Sequence, residues 1–203
     1  MKIIEEVSQV HDHVNIIDVG GTELYWKILP QNYLEIHNIS ITVVNVPGSS
    51  LPTNHGRFEF VHADGCNLSE IQDNSFHIAH SNSVIEHVGD WNRMVLFSKE
   101  LKRIAPRYFI QTPNYWFPIE PHCMTPFFHW LPKPIRILLV MKFSLGNWIK
   151  ASTVGGAVRK IEGARLLNRK MFCELFDDAQ IETEKFAFMP KSFVALRMST
   201  NLV

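Results

Sequence analysis

The sequence predicts an α/β fold built on a doubly wound, seven-stranded sheet that is mostly parallel and ends in an antiparallel hairpin, with helices forming the outer two of three layers. A first apolar strand, Val14–Val19, runs directly into Gly20 and Gly21. Asn45 and Asp64 stand at the ends of the next two strands. Ligands of open parallel sheets bind outside the carboxyl ends of the strands. The pattern therefore predicts a nucleoside-binding pocket at that edge.

Length and composition narrow the class of protein. A chain of 203 residues suits one compact domain, here 1–203. Its 20 Lys+Arg balance its 20 Asp+Glu, so no basic excess indicates a nucleic-acid partner. The three cysteines, Cys66, Cys123 and Cys173, contain no CxxC pair, which predicts a reducing compartment and no metal centre. The N-terminus is too acidic for a signal peptide and no apolar run is long enough to span a membrane, so we expect a cytoplasmic protein.

The first half of the chain alternates strands and short helices. Apolar residues from Ile3 to Val10 recur at helical spacing. After the glycine turn, Glu23–Leu29 has room for only two helical turns before Pro30. The remaining expected elements are strands at 40–46, Phe58–Ala63 and Phe76–His80 and one helical turn at Leu68–Gln72.

The second half contains a break in this alternation. Residues 113 to about 165 are rich in Pro, Trp and Phe and are predicted to be an insertion that serves as a lid or substrate segment. A helix capped by Asp90 and running to about Ile104, a strand at Tyr108–Gln111 and a helix from its cap Asn168 to Ala179 flank it. Two closing strands, about Ile181–Phe188 and Phe193–Met198, are separated only by 189–192 and so predict an antiparallel pair.

Four motifs follow the strands in order: Asp18-Val19-Gly20-Gly21-Thr22, Ala63-Asp64-Gly65-Cys66-Asn67-Leu68, Asp73-Asn74-Ser75-Phe76 and Ser81-Asn82-Ser83-Val84-Ile85-Glu86-His87-Val88. With the strand order, they resemble the class I S-adenosylmethionine-dependent methyltransferases of the small-molecule type, and in particular the methyltransferase type 11 domain. The resemblance implies a Rossmann-like fold and S-adenosyl-L-methionine as cofactor. It rests on motifs over about residues 14–112 and on strand order beyond them.

The resemblance also implies a set of cofactor-binding residues. Asp18 is among them: it either contacts the ligand, caps the following helix instead, or does both through water. The implied contacts are Gly20, Gly21 and Thr22 to the methionine end, Asn45 to the ribose, Asp64, Gly65 and Cys66 to the adenine, and Asn82 and Ser83 near the methyl group.

The chain departs from the family pattern at three places. The usual GxGxG turn reads Gly20-Gly21-Thr22-Glu23-Leu24, so a later glycine is missing. Asn45 replaces the acidic residue that accepts from the ribose hydroxyls, which removes a charge-assisted hydrogen bond. His77 replaces an Asp at a position expected on the strand surface.

Two histidines are candidate general bases. Imidazole has an unperturbed pKa of about 6.5 and can accept a proton near neutrality. His87 either serves this role or packs under a helix turn with Glu86 as its partner. His122, like His129, lies in the insertion and either faces the substrate or is structural.

Together these features predict a methyltransferase (EC 2.1.1.-) that acts on a small-molecule, sugar or lipid-linked acceptor, at O or N rather than C. Two alternatives stay open: a catalytically silent binding or interaction protein of the same fold, and a nicotinamide-dependent oxidoreductase, which the absence of GxGxxG disfavours. The apolar and basic stretch 127–143 predicts a lid helix or a homodimer face, with a peripheral membrane contact as a further alternative.

Overall fold

The structure, a computed structural model, describes residues 2–198 and contains nine strands within that range. They are β1 Val14–Val19, β2 Ile39–Asn45, β3 Phe58–His62, β4 Ile78–Asn82, β5 Arg107–Pro113, β6 Ile119–Glu120, β7 Thr125–Pro126, β8 Gln180–Phe186 and β9 Met189–Arg197. Seven form one sheet in the order β3-β2-β1-β4-β5-β9-β8. β1 to β5 are parallel, and β9 is antiparallel to β5 and β8. The predicted fold class is confirmed.

Helices cover both faces of the sheet. In chain order they are α1 Lys2–Ser8, α2 Glu23–Trp26, α3 Tyr33–Ile36, α4 Trp91–Ile104, α5 Lys133–Lys142, α6 Val154–Glu162 and α7 Arg169–Leu175. Successive residues of a strand point to opposite faces. Ile16 accordingly belongs to the buried cluster that includes α1, whereas Ile17 belongs to the cluster that includes Phe97 of α4 and Phe172 of α7. The three layers follow directly from apolar strands buried on both faces.

Several local predictions were wrong. Leu68–Gln72 forms a single hydrogen-bonded turn, in which the Ile71 N–H donates to the Leu68 carbonyl at 2.8 Å, and not a helix. Side chains of α4 take further backbone groups: Arg103 donates to the carbonyls of Leu68 and Ile71, and Glu100 accepts from the Leu68 N–H. Strand β4 starts at Ile78 rather than at residue 76, and α7 ends at Leu175 rather than at residue 179. The α3 turn was not predicted.

The closing hairpin turns earlier than predicted. Its loop consists of Ala187 and Phe188, with φ of 47° and 67°, and not of residues 189–192. Two-residue hairpin loops need left-handed backbone, which glycine or asparagine usually supplies. Because neither residue is a usual turn former, this turn has no local signal in the amino-acid sequence.

The insertion between β5 and α7 contains β6, β7, α5 and α6. It has a buried cluster of its own, formed by Cys123, Phe128, Val140, Ala151, Ala157 and Ile161. Helix α5 occupies the apolar and basic stretch and leaves Ile135, Leu138 and the following Phe143 exposed. Among residues 2–198, no helix has the length and apolar character needed to cross a bilayer. The lid role of the insertion stays a prediction.

Tyr108 connects the sheet to the α7–β8 loop. Its hydroxyl donates to Asp178 at 2.5 Å, and Lys102 and Arg197 bond to the same carboxylate at 2.9 and 2.7 Å. Burial alone raises the pKa of Asp178, but the Tyr108 and Lys102 bonds outweigh it and hold the pKa below its ordinary value. A carboxylate with a lowered folded-state pKa adds stability above its unfolded pKa and loses it as pH falls through the folded value.

We therefore expect Tyr108→Phe to lower the free energy of unfolding at pH 7 by about 1.5 kcal/mol, near the low end for a bond to a charged group because Asp178 is partly exposed. Urea unfolding at pH 7 and at acid pH measures the effect. The loss should shrink once Asp178 is protonated, and an equal loss at both pH values would contradict this account.

Candidate functional site

Four strand ends meet at one edge of the sheet. In the register of the sheet, Val19 pairs with Val44 and Asn45 pairs with His62, so β1, β2 and β3 end side by side. The predicted cofactor residues follow these ends and that of β4. The structure therefore brings the glycine turn, Asn45, Asp64 and Asn82 to a common edge, as the strand-end argument requires.

The glycine turn is tightly packed. Gly20 has a φ of +78°, a left-handed conformation that favours glycine, and a Cβ there would lie 2.5 Å from a methyl group of Val84. A Cβ at Gly21 would lie 1.8 Å from Asp18 Oδ2. Thr22 is exposed and precedes α2 without a side-chain capping bond. Both glycines are thus needed for the path of the chain, whatever binds beside them.

Asp18 is fully buried under this turn. Its Oδ2 accepts from Trp26 Nε1 at 2.8 Å, and its Oδ1 lies 2.7 Å from His80 Nδ1. The carboxylate therefore fixes α2 and the start of the turn and does not cap the helix through a side-chain bond. Direct contact of Asp18 with a ligand stays a prediction. His80 was not singled out from the sequence, although Asp18 and His80 are register partners in β1 and β4.

Asn45 has a structural reason to be an amide. Its Nδ2 donates to the carbonyl of Gly21 at 3.0 Å and so joins the end of β2 to the glycine turn. An aspartate cannot donate this bond at neutral pH. The amide oxygen is still an acceptor of the kind that ribose hydroxyls require, so the predicted ribose contact keeps its chemical basis.

Asp64 is held by Arg93, which the sequence did not identify. One guanidinium nitrogen lies 2.9 Å from each carboxylate oxygen, and the Cys66 N–H donates to Oδ1 at 3.0 Å. Burial raises the pKa of Asp64, but the bonds from Cys66 and Arg93 outweigh it and hold the pKa below its usual range. The side chains of Asp64 and Arg93 are 37% and 41% exposed, so a ligand can reach the pair.

Gly65 and Cys66, which follow Asp64, pack toward the interior of the protein. A Cβ at Gly65 would lie 2.8 Å from both Phe97 and Val19, so this glycine lets α4 approach the sheet. Cys66 is buried, its Sγ lies 3.3 Å from the carbonyl of Arg93, and burial raises the pKa of its thiol to about 11. Any adenine contact here would come from backbone atoms and not from the thiolate.

Asn82 and Ser83 open into a cleft of 620 Å³. Ser83, at a φ of 55°, donates to Gln111 at 2.9 Å, which links the ends of β4 and β5. Tyr25 of α2 also lines the cleft, and burial raises the pKa of its hydroxyl. The other walls come from β5, the insertion and the closing hairpin: Phe109, Gln111, Pro113, Asn114, Phe117, Ile119, Pro121, Met124, Glu184, Phe186, Lys191 and Ser192.

The two candidate bases, His87 and His122, contact each other. Their Nε2 atoms lie 3.0 Å apart. His87 Nδ1 lies 2.6 Å from the carbonyl oxygen of Gly163, and His122 Nδ1 lies 2.6 Å from Glu120 Oε1. These residues are 35 positions apart, and no sequence pattern indicates that they are neighbours. His122 lines a second cavity, of 360 Å³, inside the insertion.

Two buried carboxylates flank the histidines. Burial raises the pKa of Glu86, whose Oε2 accepts from Thr112 at 3.0 Å. Burial also raises the pKa of Glu120, but bonds from His122 and from the Cys123 N–H outweigh it and leave the pKa low. Burial lowers the pKa of His122, yet Glu120 reverses the direction and the net pKa is raised. His87 itself is exposed, so it is not packed under a helix turn.

The sheet order and the C-terminal antiparallel hairpin match the Rossmann-like fold of the methyltransferases. Residues 17–106 match the model of a methyltransferase domain. The match runs from within β1 to just beyond α4 and spans a little under half of the chain. It confirms the resemblance to the S-adenosylmethionine-dependent methyltransferases seen in the motifs.

Solved structures show the same fold. A protein described as a SAM-dependent methyltransferase from Methanosarcina mazei aligns at a TM-score of 0.54 and 15% identity, covering 93% of each chain. An O-methyltransferase family protein from Burkholderia thailandensis aligns at 0.54 and 11%, over 98% of this chain and 56% of the other. A putative zinc-dependent alcohol dehydrogenase from Rhodobacter sphaeroides aligns at 0.56 and 8%, over 96% and 87%. No curated protein matches the sequence.

Proposed function

We propose that the protein transfers a methyl group from S-adenosylmethionine to an oxygen or nitrogen atom of a small molecule, including a sugar or the polar end of a lipid-linked molecule. The observation that carries this proposal is the cleft of 620 Å³ that begins at Asn82 and Ser83. Its volume lies within the range of small-molecule sites, about 300–1,000 Å³. Its lining combines aromatic rings with amide, carboxylate and ammonium groups, which suits an acceptor with polar and apolar parts.

The residues at the strand ends fit the cofactor chemically. Asp64 and the Asn45 amide oxygen stand at neighbouring strand ends, where they would accept from the adenine amino group and the ribose hydroxyls. When bound, S-adenosylmethionine supplies an electrophilic methyl group. The chain mainly has to orient the acceptor and exclude water, and orientation alone can lower a barrier by about 7–11 kcal/mol. His87 and His122 stay the candidate bases for the acceptor proton, but neither of them lines the 620 Å³ cleft.

A binding or interaction protein without catalysis is the second candidate, and a specific observation favours it. Asp18 is occupied by Trp26 and His80, and Asp64 is paired with Arg93. Both acidic residues of the predicted cofactor site are therefore already bonded within the protein. With both carboxylates bonded internally, the protein keeps the methyltransferase fold while its predicted cofactor site is closed.

Titration with S-adenosylhomocysteine separates these candidates. We expect binding by the native protein and a loss of about 1.5–3 kcal/mol, roughly tenfold or more in Kd, in Asp64→Ala. Asp73→Ala is the matched control, because Asp73 pairs with Arg103 as Asp64 pairs with Arg93 but lies away from the strand ends. Calorimetry measures the affinities, with NAD as a comparison ligand.

Three other results would count against the proposal. Failure of the native protein to bind S-adenosylhomocysteine would favour the non-catalytic candidate. Tighter binding of NAD would favour an oxidoreductase. Equal affinities of the Asp64→Ala and Asp73→Ala proteins, with both folded, would remove Asp64 from the site.

A further inference from the structure

Three side chains from two separate segments converge on one point beside the insertion. Glu86 and His87 belong to the turn after β4, and His122 lies between β6 and β7. One potential ligand atom of each residue lies within 4.8 Å of the others. Each of the three side chains has a hydrogen-bond partner outside the cluster. Thr112 of β5 donates to Glu86, Glu120 bonds to His122, and the carbonyl oxygen of Gly163 after α6 bonds to His87.

The hydrogen bonds of the two imidazoles define where their lone pairs point. A carbonyl oxygen can only accept, so His87 Nδ1 carries the proton that bonds to Gly163. Glu120 accepts from two backbone N–H groups as well, and the same argument places a proton on His122 Nδ1. In the neutral rings both Nε2 atoms therefore present lone pairs, and these atoms face each other at 3.0 Å.

Two facing lone pairs repel unless something positive lies between them. Zinc–nitrogen bonds of about 2.0–2.1 Å at the tetrahedral angle place two imidazole nitrogens about 3.3–3.4 Å apart. The observed separation of 3.0 Å is about 0.3 Å shorter, so the two rings have to move apart slightly when the ion enters. Histidine ligands of metals almost always donate their other N–H to a carboxylate or a backbone carbonyl, and His122 and His87 show one of each.

The third side chain supplies an independent observation. Glu86 is 1% exposed, and its Oε1 is buried without a hydrogen-bond partner in the part of the chain that the structure describes. An unsatisfied buried carboxylate oxygen is costly. One oxygen of this carboxylate lies within 4.8 Å of the ligand atoms of both histidines, so a cation held by the three side chains would supply a positive charge beside it.

We propose that Glu86, His87 and His122 bind one divalent transition-metal ion, and that zinc is the ion this ligand set fits best. Two imidazoles and one carboxylate with a further open position form a known type of catalytic zinc set. The site uses none of the three cysteines, so the cysteine spacing that argued against a metal centre does not bear on it. With the ion in place, His87 and His122 are ligands and not free bases.

The proposed metal site adjoins the 360 Å³ cavity of the insertion. His122 and Glu120 line the 360 Å³ cavity of the insertion together with Lys133, Arg136 and Lys160. A bound zinc ion lowers the pKa of a coordinated water or hydroxyl to near neutrality.

Metal binding itself does not depend on the proposed methyl transfer, so zinc and S-adenosylhomocysteine affinities are measured separately.

Calorimetric titration of chelator-treated protein with zinc chloride tests the proposal. We expect one equivalent to bind, His87→Ala and His122→Ala each to weaken binding at least a hundredfold, and Glu120→Gln to weaken it 10–100-fold. His62→Ala, at an exposed histidine of another strand end, is the control and should bind as the native protein does. Circular dichroism confirms that each variant is folded.

Cobalt(II) gives a second readout, since its visible absorption should report a mixed nitrogen and oxygen ligand set that is lost in His122→Ala. Magnesium, which prefers oxygen ligands, should not displace it. Absence of stoichiometric zinc binding would overturn the proposal and leave a proton shared between the two imidazoles as the explanation of their contact. Equal zinc affinity in the native, His87→Ala and His122→Ala proteins would also overturn it, because zinc would then bind only to other groups on the surface.

Discussion

Replacing Asp18 by alanine should lower the free energy of unfolding by about 3–5 kcal/mol. The carboxylate is completely buried and is the shared acceptor of Trp26 Nε1 and His80 Nδ1. Its removal leaves two buried polar groups without a partner, and each such group costs about 1–3 kcal/mol. Urea unfolding followed by circular dichroism measures the change.

Asp18→Asn and Asp12→Ala are the comparisons. Asn keeps one acceptor oxygen, so it should lose less stability than Ala. Asp12 is exposed just before β1 and should change stability by less than about 0.5 kcal/mol. A loss below about 1 kcal/mol in Asp18→Ala would show that the buried network is not what holds the glycine turn.

Phe97→Ala is the second substitution with a large expected effect, again about 3–5 kcal/mol. Phe97 is fully buried in α4, within the cluster between this helix and the sheet. It also fills the space beside Gly65, so the cavity left by its removal opens directly behind the predicted adenine site. We therefore expect the variant to bind S-adenosylhomocysteine more weakly than its folded fraction explains.

Leu96→Ala provides the matched control. Leu96 is the neighbouring residue of the same helix but is 47% exposed, so its truncation should cost well under 1 kcal/mol. Equilibrium unfolding of both variants in the same denaturant series makes the comparison. Similar losses for Leu96→Ala and Phe97→Ala would contradict this account, because alanine has the higher helix propensity in both cases and only burial distinguishes the two positions.

The sequence was sufficient for the architecture because apolar runs and polar strand ends are local signals. The strand Val14–Val19 and the helix caps Asp90 and Asn168 were placed correctly for this reason. The turn at Ala187–Phe188 was misplaced because its residues are not turn formers and the pairing of β8 with β9 forces their conformation. Leu68–Gln72 keeps one local turn bond but does not continue as a helix, and distant side chains of α4 bond its other backbone groups.

For the site, the sequence supplied the residues but not their contacts. Strand ends share an edge in any parallel sheet, so Asn45 and Asp64 could be placed together without a structure. The Arg93–Asp64 pair and the His87–His122 contact depend on rotamers and on the path of the insertion. Such contacts leave no periodic signal in a single sequence.

The closing hairpin has a consequence for how the cleft arises during folding. Since β8 runs parallel to β5, the hairpin turn lies at the same edge as the ends of β1 to β5, and Lys191 faces a cleft that also includes Tyr25. These two walls are separated by most of the chain. Contacts between distant segments form late because the closure of long loops costs entropy first. A chain still emerging from the ribosome can therefore form the glycine turn and the first strands, but it has no acceptor cleft until the last two strands have joined the sheet.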